Sequence, residues 1–485
     1  MTINEHDQMP MSLDQGPRGP LYRRVAARLR SSITSGEIAA GTRLPTERSL
    51  ADELGVSRTT VVAAYASLES DGLIVRRQGS GTFVSAIGAY VHSSARDTPS
   101  SAGRAGNKPE RPAVINLSRG FPAPLPAVAD TLARVAPLLT EVIDLVPYSA
   151  RGTDELRQAV ADYLSARGLR THAEQVVITA GAHQGLDLVA RSVLRANDTA
   201  LVENPTYCGA NDILRALGVK VVPVAVTGST AMVDRVESAV RRAQPGLVYL
   251  TSSHQNPTGH TIDEQGRDRL ARLSESSWVP FIDDDTLADL DVGTPPPPPI
   301  AAFATDSNAP IFTVGSLSKL IWAGLRVGWV RAPSKRQALE LAALKATIDM
   351  GTSLLSQAVA TELLAGIDAA RQVRRAELTD KLAVMQQRLR AEVPDWTWDS
   401  PNGGLSLWLT LPSGNADEFI EVALRYGVQI LPGSEFAVDH KGSSHVRMTF
   451  EAPIPDIVEG VRRMAMAWND YCARGPVPAH SKVVL

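Results

Sequence analysis

Lys319 follows two serines in the stretch "GSLSKLIWAGLRVGW" (315–329). An amine that is flanked by hydroxyls and followed by a guanidinium can form a Schiff base with a carbonyl compound while its neighbours hold a phosphate. Lys319 is therefore a candidate nucleophile, and Ser316, Ser318 and Arg326 are candidate phosphate ligands. Because most lysines are solvated surface groups, this pattern is informative only if the rest of such a site is present.

Four other segments supply, in chain order, the remaining parts of a pyridoxal phosphate site. "ITAGAHQGLDLV" predicts a strand, a glycine turn and a helix start, which offers the N–H groups of Ala182 and His183 to a phosphate. Tyr207 in "ENPTYCGA" can stack on a pyridine ring, although a half-buried core tyrosine is the alternative. Asn256 in "SSHQNPTG" can hydrogen-bond a phenolic oxygen. "VPFIDDD" ends a predicted strand in carboxylates that can pair with a ring nitrogen, and we expect no metal there because a strand end converges poorly on Mg²⁺.

From about Ile115 onward, apolar strands alternate with longer helices, which predicts an α/β domain with a mainly parallel central sheet. The predicted strands lie in "QVVITAG", "ALVENP", "KVVPVAV", "GLVYLTSS", "VPFIDDD" and "PIFTVGSLSK". The whole chain has 485 residues, which is too long for one core and indicates two or three domains.

The N-terminal region differs in charge. Between Arg18 and Val84 there are ten arginines, no lysine and six acidic residues, a balance of +4 in a chain of net charge −3. A basic N-terminal region attached to an acidic remainder indicates a nucleic-acid-binding module. An ordinary charged surface is the alternative interpretation.

This basic region predicts three helices and a hairpin. Apolar spacing predicts a helix over 21–33, and Thr46 caps a second helix that Gly55 ends. The third helix starts after Ser57, and its inner face is predicted to contain Val61, Val62, Tyr65 and Leu68. "LIVRRQGSGTFV" alternates around a glycine turn, as a β-hairpin does. Together these elements predict a winged helix-turn-helix.

Residues 20–84 closely resemble, without gaps, the DNA-binding domain of GntR-family transcriptional regulators. "SRTT" alone could be a plain helix cap, but the resemblance makes it the start of a recognition helix. It implies contacts with the DNA major groove and backbone from Arg48, Ser57, Arg58, Thr59 and Thr60. It also implies minor-groove contacts from Gln78 and Gly79 at the tip of the wing, and a phosphate contact from Arg43.

Residues 115–470 resemble the fold-type I, class I/II aminotransferases, which use pyridoxal phosphate. The resemblance implies that Lys319 is the Schiff-base lysine and that Asn256 faces the phenolic oxygen of the cofactor. It makes Asp284 the partner of the ring nitrogen, with Asp283 as the second choice. The resemblance also implies that Tyr207 lies against the cofactor ring, that Tyr148 contributes to the partner subunit's site, and that Arg447 binds the α-carboxylate of a substrate or effector. The residues implied to bind the cofactor phosphate are Ser316, Ser318, Arg326 and the amides of Ala182 and His183.

One position departs from the aminotransferase pattern. The family has a tyrosine that donates to the phenolic oxygen, two or three residues after the ring-nitrogen aspartate. Here those positions are Thr286 and Leu287. Asn256 can still bond the phenolic oxygen, so cofactor binding is expected. Transaminase turnover is expected to be small or absent, because proton movement in transamination depends on the pKa of the Schiff-base lysine, which the missing phenol helps to set.

A GntR head followed by an aminotransferase-like body is the arrangement of the MocR/GabR/PdxR-type regulators. The resemblance implies a pyridoxal phosphate-dependent regulator that binds double-stranded operator DNA as a homodimer and senses an amino-acid-like effector or pyridoxal phosphate itself. A working aminotransferase with an appended head is the alternative, and a protein that only titrates pyridoxal phosphate is the third class. The predicted regions are a disordered N-terminus (1–17), the winged helix-turn-helix (18–85), a flexible linker (86–114), the aminotransferase-like domain (115–475) and a tail (476–485).

The remaining features concern the cellular setting. Cys208 and Cys472 have neither the number nor the spacing of a disulfide framework or a zinc site. The N-terminus lacks the apolar segment of a signal peptide, and no uncharged apolar run reaches the length of a membrane span. The expected location is the cytoplasm.

Overall fold

The computed structural model divides into two compact units, Met1–Pro109 and Glu110–Leu485, and each is described by itself. The residues that the structure describes are 21–34, 38, 44–70, 73–77, 81–84, 114–142, 148–226, 229–438 and 444–474.

The first unit contains three helices and a two-stranded sheet. These are α1 (Leu21–Thr34), α2 (Glu47–Leu54), α3 (Arg58–Ser70), β1 (Ile74–Arg77) and β2 (Gly81–Val84). The Thr46 hydroxyl accepts a hydrogen bond from the Ser49 N–H and starts α2, and Gly55 ends it at φ 63°, a conformation that favours glycine. The strands pair antiparallel from Ile74↔Val84 to Arg77↔Gly81.

The core of this unit corrects one detail of the predicted third helix. Val61, Tyr65 and Leu68 are fully buried as predicted, but the Val62 side chain is 37% exposed and Ala64 is buried instead. The reason is helical geometry: positions i, i+3, i+4 and i+7 share a face, and position i+1 lies about 100° away. The Tyr65 hydroxyl donates to the Pro45 carbonyl at 2.8 Å and ties α3 to the start of α2.

The second unit is built on a seven-stranded sheet in its described part, with the strand order β4-β10-β9-β8-β7-β5-β6. The strands are β3 (Ile115–Asn116), β4 (Val176–Thr179), β5 (Thr199–Asn204), β6 (Lys220–Ala225), β7 (Leu247–Leu250), β8 (Phe281–Asp284), β9 (Ile311–Ser316) and β10 (Gly328–Arg331), where β3 lies outside this sheet. All pairs are parallel except those of β10, which runs antiparallel to both β4 and β9. The predicted mainly parallel sheet is confirmed, and β10 is the strand that the sequence pattern did not predict.

Helices cover both faces of this sheet. They are α4 (Ala127–Val142), α5 (Asp154–Ala166), α6 (Ala182–Val193), α7 (Cys208–Ala216), α8 (Ser229–Ala243), α9 (Glu264–Ser277), α10 (Lys335–Ala346), α11 (Leu354–Ala365) and α12 (Ile367–Glu392). Strands β4, β7, β8, β9 and β10 are buried along their whole length, which explains why strands such as β4 and β7 are mainly apolar rather than alternating.

A smaller sheet completes the second unit. Its strands are β11 (Ser406–Thr410), β13 (Leu431–Pro432) and β14 (His445–Thr449), and β12 (Val428–Gln429) pairs separately with β3. Helices α13 (Ala416–Arg425) and α14 (Ile454–Arg474) accompany them. Strand β14 carries Arg447, which this smaller sheet brings to the pocket described next.

Candidate cofactor pocket and DNA-binding helix

A pocket of about 330 Å³ lies at the carboxyl edge of the central strands. In open α/β sheets this edge is where ligands bind, because the loops that follow parallel strands meet there. The pocket is lined by Phe121, Gly181, Ala182, His183, Leu186, Tyr207, Tyr249, Thr251, Asn256, Asp284, Thr286, Leu287, Ser316, Ser318, Lys319, Ala323 and Arg326. It therefore brings together nine of the ten residues predicted to bind the cofactor, and Tyr148 is the exception.

Lys319 lies in this pocket just beyond the end of β9. Its Nζ donates a hydrogen bond to the Gly120 carbonyl at 2.6 Å and lies 5.9 Å from the centre of the Phe121 ring. Burial, reinforced by the positive charge of Arg447, lowers the pKa of this amine from 10.5 to about 8. A larger fraction of Lys319 is thus neutral and nucleophilic near neutral pH than for an ordinary lysine.

The three consecutive aspartates have separate environments. Asp284 points into the pocket, where its carboxylate accepts hydrogen bonds from the Tyr249 hydroxyl at 2.8 Å and the Thr286 N–H at 3.1 Å. Asp283 instead accepts the Ile300 N–H at 2.8 Å, and Asp285 forms an ion pair with Arg167. Strand alternation therefore selects Asp284 as the pocket carboxylate. Burial raises its pKa, and the hydrogen bonds from Thr286 and Tyr249 oppose that rise.

The predicted phosphate ligands lie around the start of α6. The Ser316 hydroxyl donates to the Ser318 hydroxyl at 2.9 Å, and both side chains are buried. Gly181 precedes the helix at φ 99°, and a Cβ added there would come within 3.3 Å of the Arg326 guanidinium. The glycine is therefore required for the arginine to approach the helix N-terminus, where free N–H groups and the helix dipole favour an anion.

Arg447 is a buried cation without a carboxylate partner in the described part of the chain. Its guanidinium donates to the Asn256 side-chain oxygen at 3.3 Å and to the Ser118 carbonyl, while its Nε has no hydrogen-bond partner. Burial lowers its pKa to about 10, which still leaves it charged at neutral pH. Because Asn256 lines the pocket, Arg447 is positioned to attract an anion beside it.

The two predicted tyrosines differ in position. Tyr207 lies in the pocket wall, with its hydroxyl 3.4 Å from Nδ1 of His183. Tyr148 is 65% exposed and does not line the pocket. Its contribution to a partner subunit's site stays a prediction.

Thr286 and Leu287 both line the pocket, so neither alignment restores a phenol at that position. Sequence reasoning missed other pocket residues: Phe121, Tyr249 and the Gly120 carbonyl. Tyr249 lies mid-sheet in β7, where it looks like an ordinary apolar strand residue, and only strand pairing brings it next to Asp284.

The first residues of α3 form an exposed, hydrogen-bonded cap. The Ser57 hydroxyl accepts the Thr60 N–H at 3.1 Å and contacts the Thr59 and Thr60 hydroxyls at 2.8 and 2.7 Å. The Arg58 side chain is exposed, as is that of Arg48 on α2. The helix start thus presents hydroxyls and a guanidinium to solvent, which suits phosphate and guanine contacts. Arg43, Gln78 and Gly79 lie outside the described residues.

The donor set of the pocket fits pyridoxal phosphate. It holds a nucleophilic amine at Lys319, a buried carboxylate at Asp284 for a protonated nitrogen, and two hydroxyls, an arginine and a helix N-terminus for a phosphate. With the sheet order around it, this site defines the class of fold-type I aminotransferases.

Comparison with known proteins agrees with this class. The family model for class I and II aminotransferases matches residues 113–461, and the model for bacterial regulatory proteins of the gntR family matches residues 21–84. In structure, the second unit is similar to LysN, the α-aminoadipate aminotransferase of Thermus thermophilus, solved with N-(5'-phosphopyridoxyl)-L-leucine. The TM-score is 0.69 and the identity 28%, over 75% of this chain and 94% of that one.

Two regulators are similar over nearly the whole chain. YisV of Bacillus subtilis, described as an uncharacterised HTH-type transcriptional regulator, is 30% identical over 92% of this chain and 95% of its own. MocR of Rhizobium meliloti, described as a probable regulatory protein of rhizopine catabolism, is 29% identical over 87% and 88%. The chain belongs to the MocR/PdxR-type regulators of the GntR family, which join a DNA-binding helix-turn-helix to a class I/II aminotransferase-like domain; the aminotransferases of that fold depend on pyridoxal phosphate.

None of the helices in the described part of the chain is long and apolar enough to cross a membrane.

Proposed function

We propose that the pocket around Lys319 binds pyridoxal phosphate and that its occupancy regulates how the chain binds operator DNA. The observation that supports this most directly is the meeting of Lys319, Asp284 and Asn256 in one pocket, on a chain whose α3 keeps its exposed Ser57 and Arg58. When bound, pyridoxal phosphate supplies an aldehyde that reacts with amines and a ring that withdraws electrons.

The residues have separate roles in this proposal. Ser316, Ser318, Arg326 and the amides of Ala182 and His183 hold the phosphate, and Tyr207 covers the ring. Asp284 holds the proton of the ring nitrogen, and Asn256 orients the phenolic oxygen. The neutral amine of Lys319 is the nucleophile, and its hydrogen bond to the Gly120 carbonyl orients it in the pocket.

The effector is an amino-acid-like molecule or pyridoxal phosphate itself. Arg447 supports the first class, because its buried guanidinium next to Asn256 has no carboxylate partner among the described residues and would accept an α-carboxylate. The protein acts as a cytoplasmic homodimer, in which Tyr148 completes the partner subunit's site and two heads meet two half-sites on double-stranded DNA. The linker between the units carries the change from the pocket to the heads.

A catalytic aminotransferase is the second candidate, favoured by the nucleophilic Lys319 and by Arg447. The apolar Leu287 in the pocket wall counts against it, since this side chain cannot donate a hydrogen bond. Single-turnover spectra with a panel of amino acids, followed by keto-acid assays over many equivalents, separate the two: a regulator shows spectral changes without sustained product, and an enzyme shows both.

A further inference from the structure

Arg331, the last residue of β10, is a buried cation without an acidic partner among the described residues. Its side chain is 6% exposed, its Nε has no hydrogen-bond partner, and no described carboxylate lies within ion-pair distance of it. Burial is the cause that lowers its pKa, to about 10, so that it remains charged at neutral pH. Burying an unpaired charge destabilises a fold, so an anion that neutralised it would be bound favourably.

Apart from Arg447 at the cofactor pocket, three other buried arginines in the unit have their partners within the protein. Arg267 donates to the carbonyls of Ile262, Ser252, Pro297 and Pro298 and to the Ser253 hydroxyl. Arg374 pairs with Glu377 and donates to two further carbonyls, and Arg157 pairs with Asp154. Arg331 departs from this pattern, which indicates that its partner is not part of the described fold.

Arg331 lines a cavity of about 760 Å³ whose wall combines polar and apolar residues in similar proportion. They include Arg170, His172 and Lys335, whose nitrogen atoms can donate hydrogen bonds to an anion. Two carboxylates, Glu174 and Asp306, also border the cavity, and both residues are exposed. Neither of these acids forms an ion pair with Arg331 in the described part of the chain, and burial alone accounts for the direction of its pKa shift.

The N-terminus of α10 reaches the same cavity. Ser334 caps this 12-residue helix by accepting the Gln337 N–H at 3.3 Å, and both Ser334 and Lys335 line the cavity. Apart from the capped Gln337, the N–H groups of the first turn, those of Lys335 and Arg336, have no acceptor within the helix, and the helix dipole adds partial positive charge at this end. A buried guanidinium and a helix N-terminus therefore meet at one cavity, a combination that suits an oxyanion.

We propose that this cavity is a second ligand site, which binds a small metabolite through a phosphate or carboxylate group held by Arg331. The site is separate from the cofactor pocket. Gly328, at the other end of β10, packs against Gly181 at the cofactor pocket, whereas Arg331 pairs with Val176 at the start of β4. The two sites thus lie at opposite ends of β10.

The test uses full-length protein saturated with pyridoxal phosphate, so that the phosphate end of the cofactor pocket is filled, and it scores only the difference between the wild type and the Arg331 variants, because binding at Arg447 is common to all of them. Inorganic phosphate and, in a second arm, succinate are titrated up to about 50 mM at constant ionic strength in chloride buffer, with calorimetry and the unfolding midpoint as readouts. Arg331→Met is expected to weaken binding of the preferred anion at least tenfold and to remove its stabilising effect on the fold. Without anion, this variant is expected to unfold at a temperature equal to or above that of the wild type.

Arg336→Met is the matched control, because Arg336 is an exposed arginine on the same helix turn that pairs with Glu340 and does not line the cavity. Arg331→Gln repeats the test if the methionine variant does not fold. The arm that shows Arg331-dependent binding identifies the group as phosphate or carboxylate. If neither anion binds the wild type, or if the Arg331 variants bind both with wild-type affinity, the proposal is wrong.

Discussion

The two units present their functional side chains in opposite ways. At the start of α3, Ser57, Arg58 and Thr59 follow one another in sequence and are exposed. In the pocket, Asp284, Ser316 and Arg447 come from three separate strands, and each side chain is at most 9% exposed. An exposed cluster needs only a correctly capped helix, whereas the pocket exists only once the whole sheet has formed.

This difference also sets the electrostatics. Arg447 and Lys319 have lowered pKa values because burial disfavours their charged forms. On the exposed side, water screens charges, and contacts there act mainly through geometry and salt-dependent attraction to DNA. Substitutions in the pocket should therefore have large effects on chemistry, and those on α3 should have moderate effects confined to DNA binding.

The largest expected effect is at Lys319. Lys319→Ala removes the nucleophile, so we expect complete loss of covalent pyridoxal phosphate attachment, measured by borohydride reduction and peptide mapping. Lys220→Ala, at an exposed lysine of β6, is the control and should keep full attachment. Attachment of the cofactor to the Lys319→Ala protein at wild-type affinity would show that the site is assigned to the wrong lysine.

The next effect concerns Leu287. Its side chain lines the pocket where a hydrogen-bond donor would be needed, so transaminase turnover should be about two to three orders of magnitude below ordinary rates, by analogy with the loss of a single oxyanion donor. Keto-acid production over many equivalents measures it. Leu287→Tyr should increase the weak transaminase activity of the wild type. Turnover at about 1–10³ s⁻¹ with any natural amino donor would instead support the enzyme hypothesis.

The pH dependence of cofactor attachment tests the buried character of the pocket. The amine must be neutral to react, and a pKa lowered to about 8 means that it loses its proton at lower pH than an ordinary lysine. The attachment rate to protein freed of cofactor should rise about tenfold per pH unit and level off above pH 8. The charges of Arg447, Asp284 and Arg326 also act on this amine. So does the charge of Glu451, whose own pKa is raised by burial to about 7.

A free lysine derivative measured in parallel should level off about two units higher. A protein profile that coincides with that of the free derivative would contradict the lowered pKa of Lys319.

The smallest effect is expected on the exposed side. Arg58→Ala should weaken specific DNA binding by about 1–3 kcal/mol if the guanidinium contacts a guanine edge, without changing cofactor attachment. Fluorescence anisotropy with bound and random sequences measures it, and Arg241→Ala, at an exposed arginine of α8, is the control. Equal losses on both sequences would make Arg58 a backbone contact.

Much of this arrangement could be predicted from the sequence, because local patterns determine it. The caps at Thr46 and Gly55 and the apolar strands depend on neighbours in the chain. The choice of Asp284 over Asp283 comes from the resemblance to the aminotransferases, and in the structure it is Asp284 that lines the pocket. Val62 was assigned to the wrong face because an adjacent pair of valines does not reveal which one points inward.

What could not be predicted depends on residues far apart in the chain. The partnership of Tyr249 with Asp284 requires the pairing of β7 with β8, and the isolation of Arg331 among the described residues is visible only when every neighbour is in place. β10 was not predicted because four residues that begin with a glycine carry too short a pattern to distinguish a strand from a loop.

The central claim is that one chain couples a cofactor pocket at Lys319 to DNA binding by α3. DNA affinity purification and sequencing of full-length protein, with and without pyridoxal phosphate, tests it most directly when wild type and Lys319→Ala are compared. We expect the cofactor to change the set or the occupancy of fragments bound by the wild type and to leave the Lys319→Ala profile unchanged. A wild-type profile that is the same with and without the cofactor would contradict the claim.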